Sequence, residues 1–130
     1  MDKKKVIIDT NFLMIPGTLM VDIFSELERI MEYPYELCYV DRSIEELNKL
    51  AVFSKEKERL AAKLAIVLIR QKSLKSLPSS KEDKSVDDTI VRYADKDSYV
   101  ATQDKALKER VKGKKARAVV LRQKKYLVVI

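Results

Sequence analysis

Short stretches of this chain are apolar throughout instead of alternating with polar residues: Val6-Ile7-Ile8, Leu37 to Val40, Tyr99-Val100-Ala101, Val119-Val120-Leu121 and Leu127 to Ile130. Runs of this length are too brief for a packed helix, and their two-sided apolarity fits strands covered on both faces. Between them lie segments of helical period. Leu19, Ile23, Leu27 and Ile30, with Phe24 and Met31, predict one helix. Ser43 caps a second that carries Ile44, Leu47 and Leu50, and Ser54 starts a third with Leu60, Leu64 and Leu68 on one side. Leu74 to Leu77 reads as a short strand, and Pro78 to Ser85 as a polar loop before a helix with Ile90, Val91 and Ala94. Asp104 opens a last helix through Leu107 and Val111 that stops at Gly113. This β-α alternation predicts a three-layer α/β domain with a mainly parallel central sheet, one domain over residues 1–130.

Composition narrows the chemistry. The chain has no histidine and one cysteine, Cys38, set in an apolar run and read as a small buried hydrophobe. Histidine-based triads and nearly every zinc site are therefore excluded. Catalysis must rest on carboxylates, on Lys or Ser, or on a hard cation held by oxygen. Lys3, Lys4 and Lys5 precede an apolar stretch, but Asp9 interrupts it too soon for a secretory segment. Leu64 to Ile69, the longest apolar run, is far short of the ~20 residues of a membrane span. The expectation is a soluble cytoplasmic protein that makes no membrane contact. Lys and Arg number 27 against 20 Asp and Glu, a net charge of +7. A Lys- and Glu-rich, Gly-poor chain also suits thermal adaptation, but the positive excess favours a polyanionic partner.

The acids fall at telling places. Asp9 follows the first strand, Glu46 lies in the first turn of the helix after the second, Asp87 and Asp88 begin the helix after the polar loop, and Asp104 follows the Tyr99-Val100-Ala101 strand. The carboxyl ends of parallel strands form the ligand crevice of an open sheet. Each acid alone has a structural explanation: an Asx turn at Asp9, a capping box from Ser43 to Glu46, and helix starts at Asp87, Asp88 and Asp104. Together at one edge, like charges need a cation, and without His or Cys that cation is Mg²⁺ or Mn²⁺.

The wording around these acids resembles the PIN-domain nucleases. Ile7-Ile8-Asp9-Thr10-Asn11-Phe12-Leu13 is similar to that family's opening motif. Ser43-Ile44-Glu45-Glu46-Leu47, Val86-Asp87-Asp88-Thr89-Ile90-Val91 and Val100-Ala101-Thr102-Gln103-Asp104 resemble its second, third and fourth. With Leu121-Arg122 the likeness spans essentially the whole chain. Within the family the chain resembles the small archaeal PIN proteins, similar to the eukaryotic PIN endonuclease of small-subunit rRNA processing, more than the VapC-type toxins. The family acid precedes a buried aliphatic by three residues. Asp87 with Ile90 fits this and is favoured, Asp88 with Val91 is the other register, and Asp88 then serves as an auxiliary acid.

The resemblance implies an endoribonuclease that hydrolyses phosphodiesters with water activated by a carboxylate-held ion. Asp9 and Asp104 would be its nearest ligands, with Asp87 and Glu46 holding coordinated waters or a second ion. Asn11 and Thr102 would orient ligands or the scissile phosphate, unless they are only turn and cap residues. RNA would follow the dense basic cluster of Lys112, Lys114, Lys115, Arg117, Arg122, Lys124 and Lys125, with Tyr126 stacking on a base. The rival to that cluster is a solvated tail. Protein partners left open are a second copy in a homodimer, an antitoxin or a ribosome-processing factor. Two rival functions are a PIN-fold scaffold that binds RNA without cutting it and a haloacid-dehalogenase-like phosphoryl transferase using Asp9. The latter needs a second Asp where this chain has Asn11.

Overall fold

In the computed structural model, which describes residues 3–130, the apolar runs assemble into one six-stranded sheet ordered β3-β2-β1-β4-β5-β6. The strands are β1 (Lys4–Ile8), β2 (Tyr35–Val40), β3 (Lys75–Leu77), β4 (Ser98–Ala101), β5 (Arg117–Arg122) and β6 (Tyr126–Val129). The first five run parallel, and β6 folds back antiparallel on β5 through a tight turn. The chain fills one side of β1 with β2 and β3, then crosses to the other side with β4. That reversal lies between β1 and β4, where Ile8 pairs with Ala101. It is the place where an α/β sheet opens a crevice.

Helices cover both faces. On one face α1 (Thr10–Leu13), α2 (Ile15–Leu19), α3 (Ile23–Ile30), α4 (Asp41–Phe53) and α5 (Glu56–Gln71) pack over Val6, Ile8, Ala101, Val119 and Leu121. On the other, α6 (Val86–Tyr93) and α7 (Lys105–Gly113) pack over Ile7, Cys38, Val40 and Val100. Alternate residues of each central strand thus feed different cores, the physical reason its sequence is apolar throughout. Cys38 is fully buried, and burial pushes its thiol up to about 11, as suits a packing residue. Among the described residues no helix is long and apolar enough to cross a membrane.

Three local readings of the sequence are corrected. The helix expected from Leu19 to Met31 begins only at Ile23: Met20 turns left-handed at φ 59°, and Asp22 caps α3 by accepting from the backbone of Phe24 and Ser25 at 3.1 Å each. Ser43 does not cap α4, which starts at Asp41 with Val40 before it. Ser54 ends α4 instead of starting α5, whose first turn follows Lys55. The last helix stops at Gly113 as expected, and the left-handed residue that follows is Lys115.

Gly17 allows the tightest helix contact. A Cβ there would lie 2.5 Å from the Cα of Ala61, so α2 can sit directly on α5 only without a side chain.

A candidate metal centre at the carboxyl edge of the sheet

Asp9 extends β1 by one residue, and its backbone N–H still donates to Ala101 at 3.0 Å. Its side chain caps α1 by accepting from the Thr10 N–H at 2.8 Å. The second carboxylate oxygen accepts from the hydroxyl of Thr102 at 2.9 Å, on the neighbouring strand end. Thr102 in turn accepts from the N–H of Asp104 at 3.0 Å, and Asp104 caps α7 by accepting from Leu107 at 2.8 Å. Asp9 and Asp104, far apart in sequence, are therefore tied through one buried threonine at the switch point.

Glu46 is reached from the other direction. The Thr10 hydroxyl donates to Glu46 Oε1 at 2.7 Å. With its only hydrogen committed there, Thr10 accepts from Ser43, also at 2.7 Å. Ser43 is fully buried one turn before Glu46, and this is its use in place of a cap. Thr10 was visible in the Asp-Thr-Asn wording, but nothing local marked its hydroxyl as the link between the first and second motifs.

Asp87 stands in the first turn of α6, whose cap is Ser85 accepting from Asp88. Asp88 is engaged elsewhere: it accepts from the Lys84 N–H and from Arg110 on α7, both at 3.0 Å. The doublet thus divides, with Asp87 facing the other acids and Asp88 paired to a cation. Asn11 is exposed on α1, and its side-chain amide makes no hydrogen bond among the described residues.

The loop before α6 is far from a free connector. Arg42 donates to the carbonyls of Asp83 and Ser80, and Asp41 accepts from the backbone and hydroxyl of Ser79. Buried Asp83 accepts from Arg92, Thr89 and the Ser80 N–H, and Arg92 and Tyr93 donate to Pro78. The Arg92 guanidinium, with those N–H and O–H donors, holds the Asp83 carboxyl far below the usual carboxylate range. Sequence alone gave no sign of this strap, because its charges are scattered over three elements.

At this edge burial and like charge both act against ionisation. Burial raises the Asp9 carboxyl to about 6, and the charges of Asp87 and Asp104 push the same way against the hydrogen bonds from Thr102 and Thr10. Asp87 is raised by its own burial, then by Asp104, with Glu46 and Asp88 adding and Arg110 opposing. Among the described residues Asp9, Glu46, Asp87 and Asp104 have no Lys or Arg within salt-bridge distance, whereas Glu26, Glu36, Asp83, Asp88 and Asp97 each have one. Nor do the four close on a point: among the described residues no three acidic side chains come near enough to hold one ion between them. This donor set fits a hard cation that keeps several waters and touches one or two carboxylates, as Mg²⁺ does.

The single basic cluster expected from the sequence is divided by the fold. Arg122, Lys124, Lys125 and Tyr126 lie at the β5–β6 turn, on the edge that carries the acids. Lys112, Lys114, Lys115 and Arg117 lie at the end of α7 and the start of β5, on the opposite edge. The length of β5 between them is ~17 Å at a strand's rise. Lys105 and Lys108, which share a side of α7 with Lys112, were not singled out by sequence, although their three- and four-residue spacing was available.

A family model described as a PIN-like domain matches residues 6–124. The chain is 32% identical to Ribonuclease VapC4 of Methanocaldococcus jannaschii over 129 residues, covering 96% of this chain and 95% of that protein. Among solved structures it is similar to the PIN domain endonuclease Utp24 at a TM-score of 0.75 and 26% identity, covering 96% of this chain and 90% of the other. A domain of a functionally unknown protein from Methanocaldococcus jannaschii matches at a TM-score of 0.58 and 18% identity, over 92% and 91% of the two chains, which is a likeness of fold.

Proposed function

This chain belongs to the PIN-like domain family, and from that premise we propose that it is a metal-dependent endoribonuclease. One observation carries the reading: the four acids that share the carboxyl edge form no salt bridge among the described residues, and burial with mutual repulsion raises Asp9 and Asp87, Arg110 alone opposing at Asp87. Such crowding opposes folding unless the fold exists to bind a cation. The likeness to a ribonuclease and to an endonuclease along nearly the whole chain supports the same chemistry.

Asp9 and Asp104 are the residues to hold Mg²⁺ or Mn²⁺, with Asp87 and Glu46 receiving its coordinated waters. When bound, the ion supplies a Lewis acid for the phosphodiester and lowers the pKa of the attacking water. Thr102 fixes the Asp9 carboxylate and keeps it ionisable, and Thr10 fixes Glu46. Asn11, exposed beside them, has its amide available to a phosphate oxygen. Asp88 is left to Arg110 and takes no part in ligation. Arg122, Lys124 and Lys125 stand on the same edge and offset the repulsion between the acids and an incoming RNA backbone.

The test is cleavage of a single-stranded or hairpin RNA by purified protein with Mn²⁺, without it, and in EDTA. Wild type should cut only with the ion, and Asp9→Asn and Asp104→Asn should fold but not cut. Equal cutting by all three proteins would point to a contaminating nuclease. The cellular setting has two versions, both in the cytoplasm. The likeness to Ribonuclease VapC4 supports a toxin ribonuclease restrained by an antitoxin, and the likeness to Utp24 supports a role in rRNA processing. A small antitoxin reading frame beside the gene would decide for the first.

A further inference from the structure

Among the described residues no further helix covers the α6–α7 face of the sheet beyond α7. Leu121 and Leu127 point into the core under α3, so strand alternation turns Ala118, Arg122, Tyr126 and Ile130 to the opposite face. There α7 stands as a wall over β5 and β6, and the step between them is a groove of about 340 Å³. Its floor is apolar, made by Ala118 and Ile130, and its wall carries Lys105, Lys108 and Lys112 against a single acid, Glu109. Lys108 is half-buried against the floor while Lys105 and Lys112 are exposed, so stems line the groove and ammonium groups face outward. None of the three lysines forms a salt bridge among the described residues.

The groove also has a direction. It starts at Lys105, the residue after Asp104, and runs down α7 to Lys112 at the opposite edge of the sheet. Nine helical residues span ~13 Å, enough for a few backbone units of an extended strand. A row of cations at one-turn intervals over an apolar floor matches a chain of regularly spaced phosphates whose bases or sugars need an uncharged surface.

We infer that this groove binds the single-stranded RNA flanking the cleavage site, with Lys105, Lys108 and Lys112 on successive phosphates and Ile130 under a base. The groove thereby joins the two halves of the divided basic cluster. This deepens the nuclease reading and rests on it only for the position of the cut.

Affinity for a fluorescein-labelled oligouridylate is measured by anisotropy over a salt series in EDTA, where neither metal nor cleavage enters. Lys108→Ala with Lys112→Ala should flatten the slope of log affinity against log salt by ~1.4, two contacts at ~0.7 each. The same pair changed to Gln repeats the test with the side-chain stems kept, and circular dichroism verifies both folds. Lys57→Ala with Lys63→Ala, an equal charge change on α5 across the sheet, should leave the slope unaltered. Ile130→Ala should weaken binding without changing it. An unchanged slope in both groove pairs, or an equal change in the α5 pair, overturns the proposal, the former being the result if the groove serves an acidic protein segment. A protein that shows the groove effect yet cuts no RNA with Mn²⁺ would sink the nuclease reading and leave the groove standing. One that cuts RNA with an unaltered groove slope would do the reverse.

Discussion

Thr102 donates its hydroxyl hydrogen to Asp9 at 2.9 Å, across the gap between β4 and β1 where the sheet reverses its strand order. This bond opposes the burial and the neighbouring carboxylates that raise Asp9 to about 6. Thr102→Val keeps the shape and removes the donor, so Asp9 should ionise only at still higher pH. A hydrogen bond to a charged group is worth ~1.5 kcal/mol, or about one pH unit. The acid limb of Mn²⁺ binding should move up by that amount, read as apparent affinity from pH 5 to 8. An unmoved limb would mean that Thr102 has no hold on Asp9 in solution.

Asp9 should also make the metal-free protein less stable as pH rises. Well below its ordinary value of 3.8 it is protonated in the folded and unfolded chains alike and contributes nothing. Between its ordinary value of 3.8 and about 6 the unfolded chain ionises first, and stability falls. Above that the full penalty applies, roughly 2–3 kcal/mol for this buried group. Asp9→Asn can still accept from Thr10 and donate to Thr102. In EDTA it should therefore melt higher than wild type at pH 7.5, with the difference vanishing by about pH 3. Millimolar Mn²⁺ should raise the wild-type melting temperature and not the variant's. A variant that melts lower at pH 7.5 would refute the penalty.

Thr10→Val should hurt twice. It leaves Ser43 buried without its partner and frees Glu46 to move. The unsatisfied hydroxyl costs ~1–3 kcal/mol. Adding Ser43→Ala should recover part of that stability but none of the lost cleavage. If the double variant regains activity, Thr10 is only a packing residue.

The two glycines should respond oppositely to alanine. At Gly17 the new methyl would strike the backbone of Ala61, so Gly17→Ala should cost ~1–3 kcal/mol by forcing α2 off α5. Gly113 is helical with nothing within 4 Å of a Cβ, and Gly113→Ala should stabilise by ~0.5–1 kcal/mol. Chemical denaturation of both variants measures this directly, and equal effects would contradict the packing of α2 on α5.

The strands and the edge that carries the acids were legible because each residue of Val6-Ile7-Ile8 and Tyr99-Val100-Ala101 serves one of two cores, a demand that leaves uninterrupted apolar runs. The helix caps were less so. Ser43 and Glu46 have capping-box spacing, yet their oxygens answer Thr10, a residue whose proximity only the finished sheet creates. Gly113 marked the end of α7 correctly, though the left-handed residue after it is Lys115. The basic residues misled for a related reason. Lys112 to Lys125 are neighbours in sequence, and β5 carries its two ends to opposite edges of the sheet.

The strap from Pro78 to Ser85 has a mechanical meaning. Asp41 and Arg42 grip it from α4, which carries Glu46; Thr89 and Arg92 grip it from α6, which carries Asp87. Those two helices lie on opposite faces of the sheet, and the strap stitches them together over its rim. Asp9 and Asp104 are moored to the strands through Thr102, and Glu46 is tied to the same edge through Thr10, so of the four acids Asp87 depends most on the strap. A local opening that unlaced the strap would therefore loosen the start of α6, and Asp87 with it, while Thr10 still held Glu46 to the sheet.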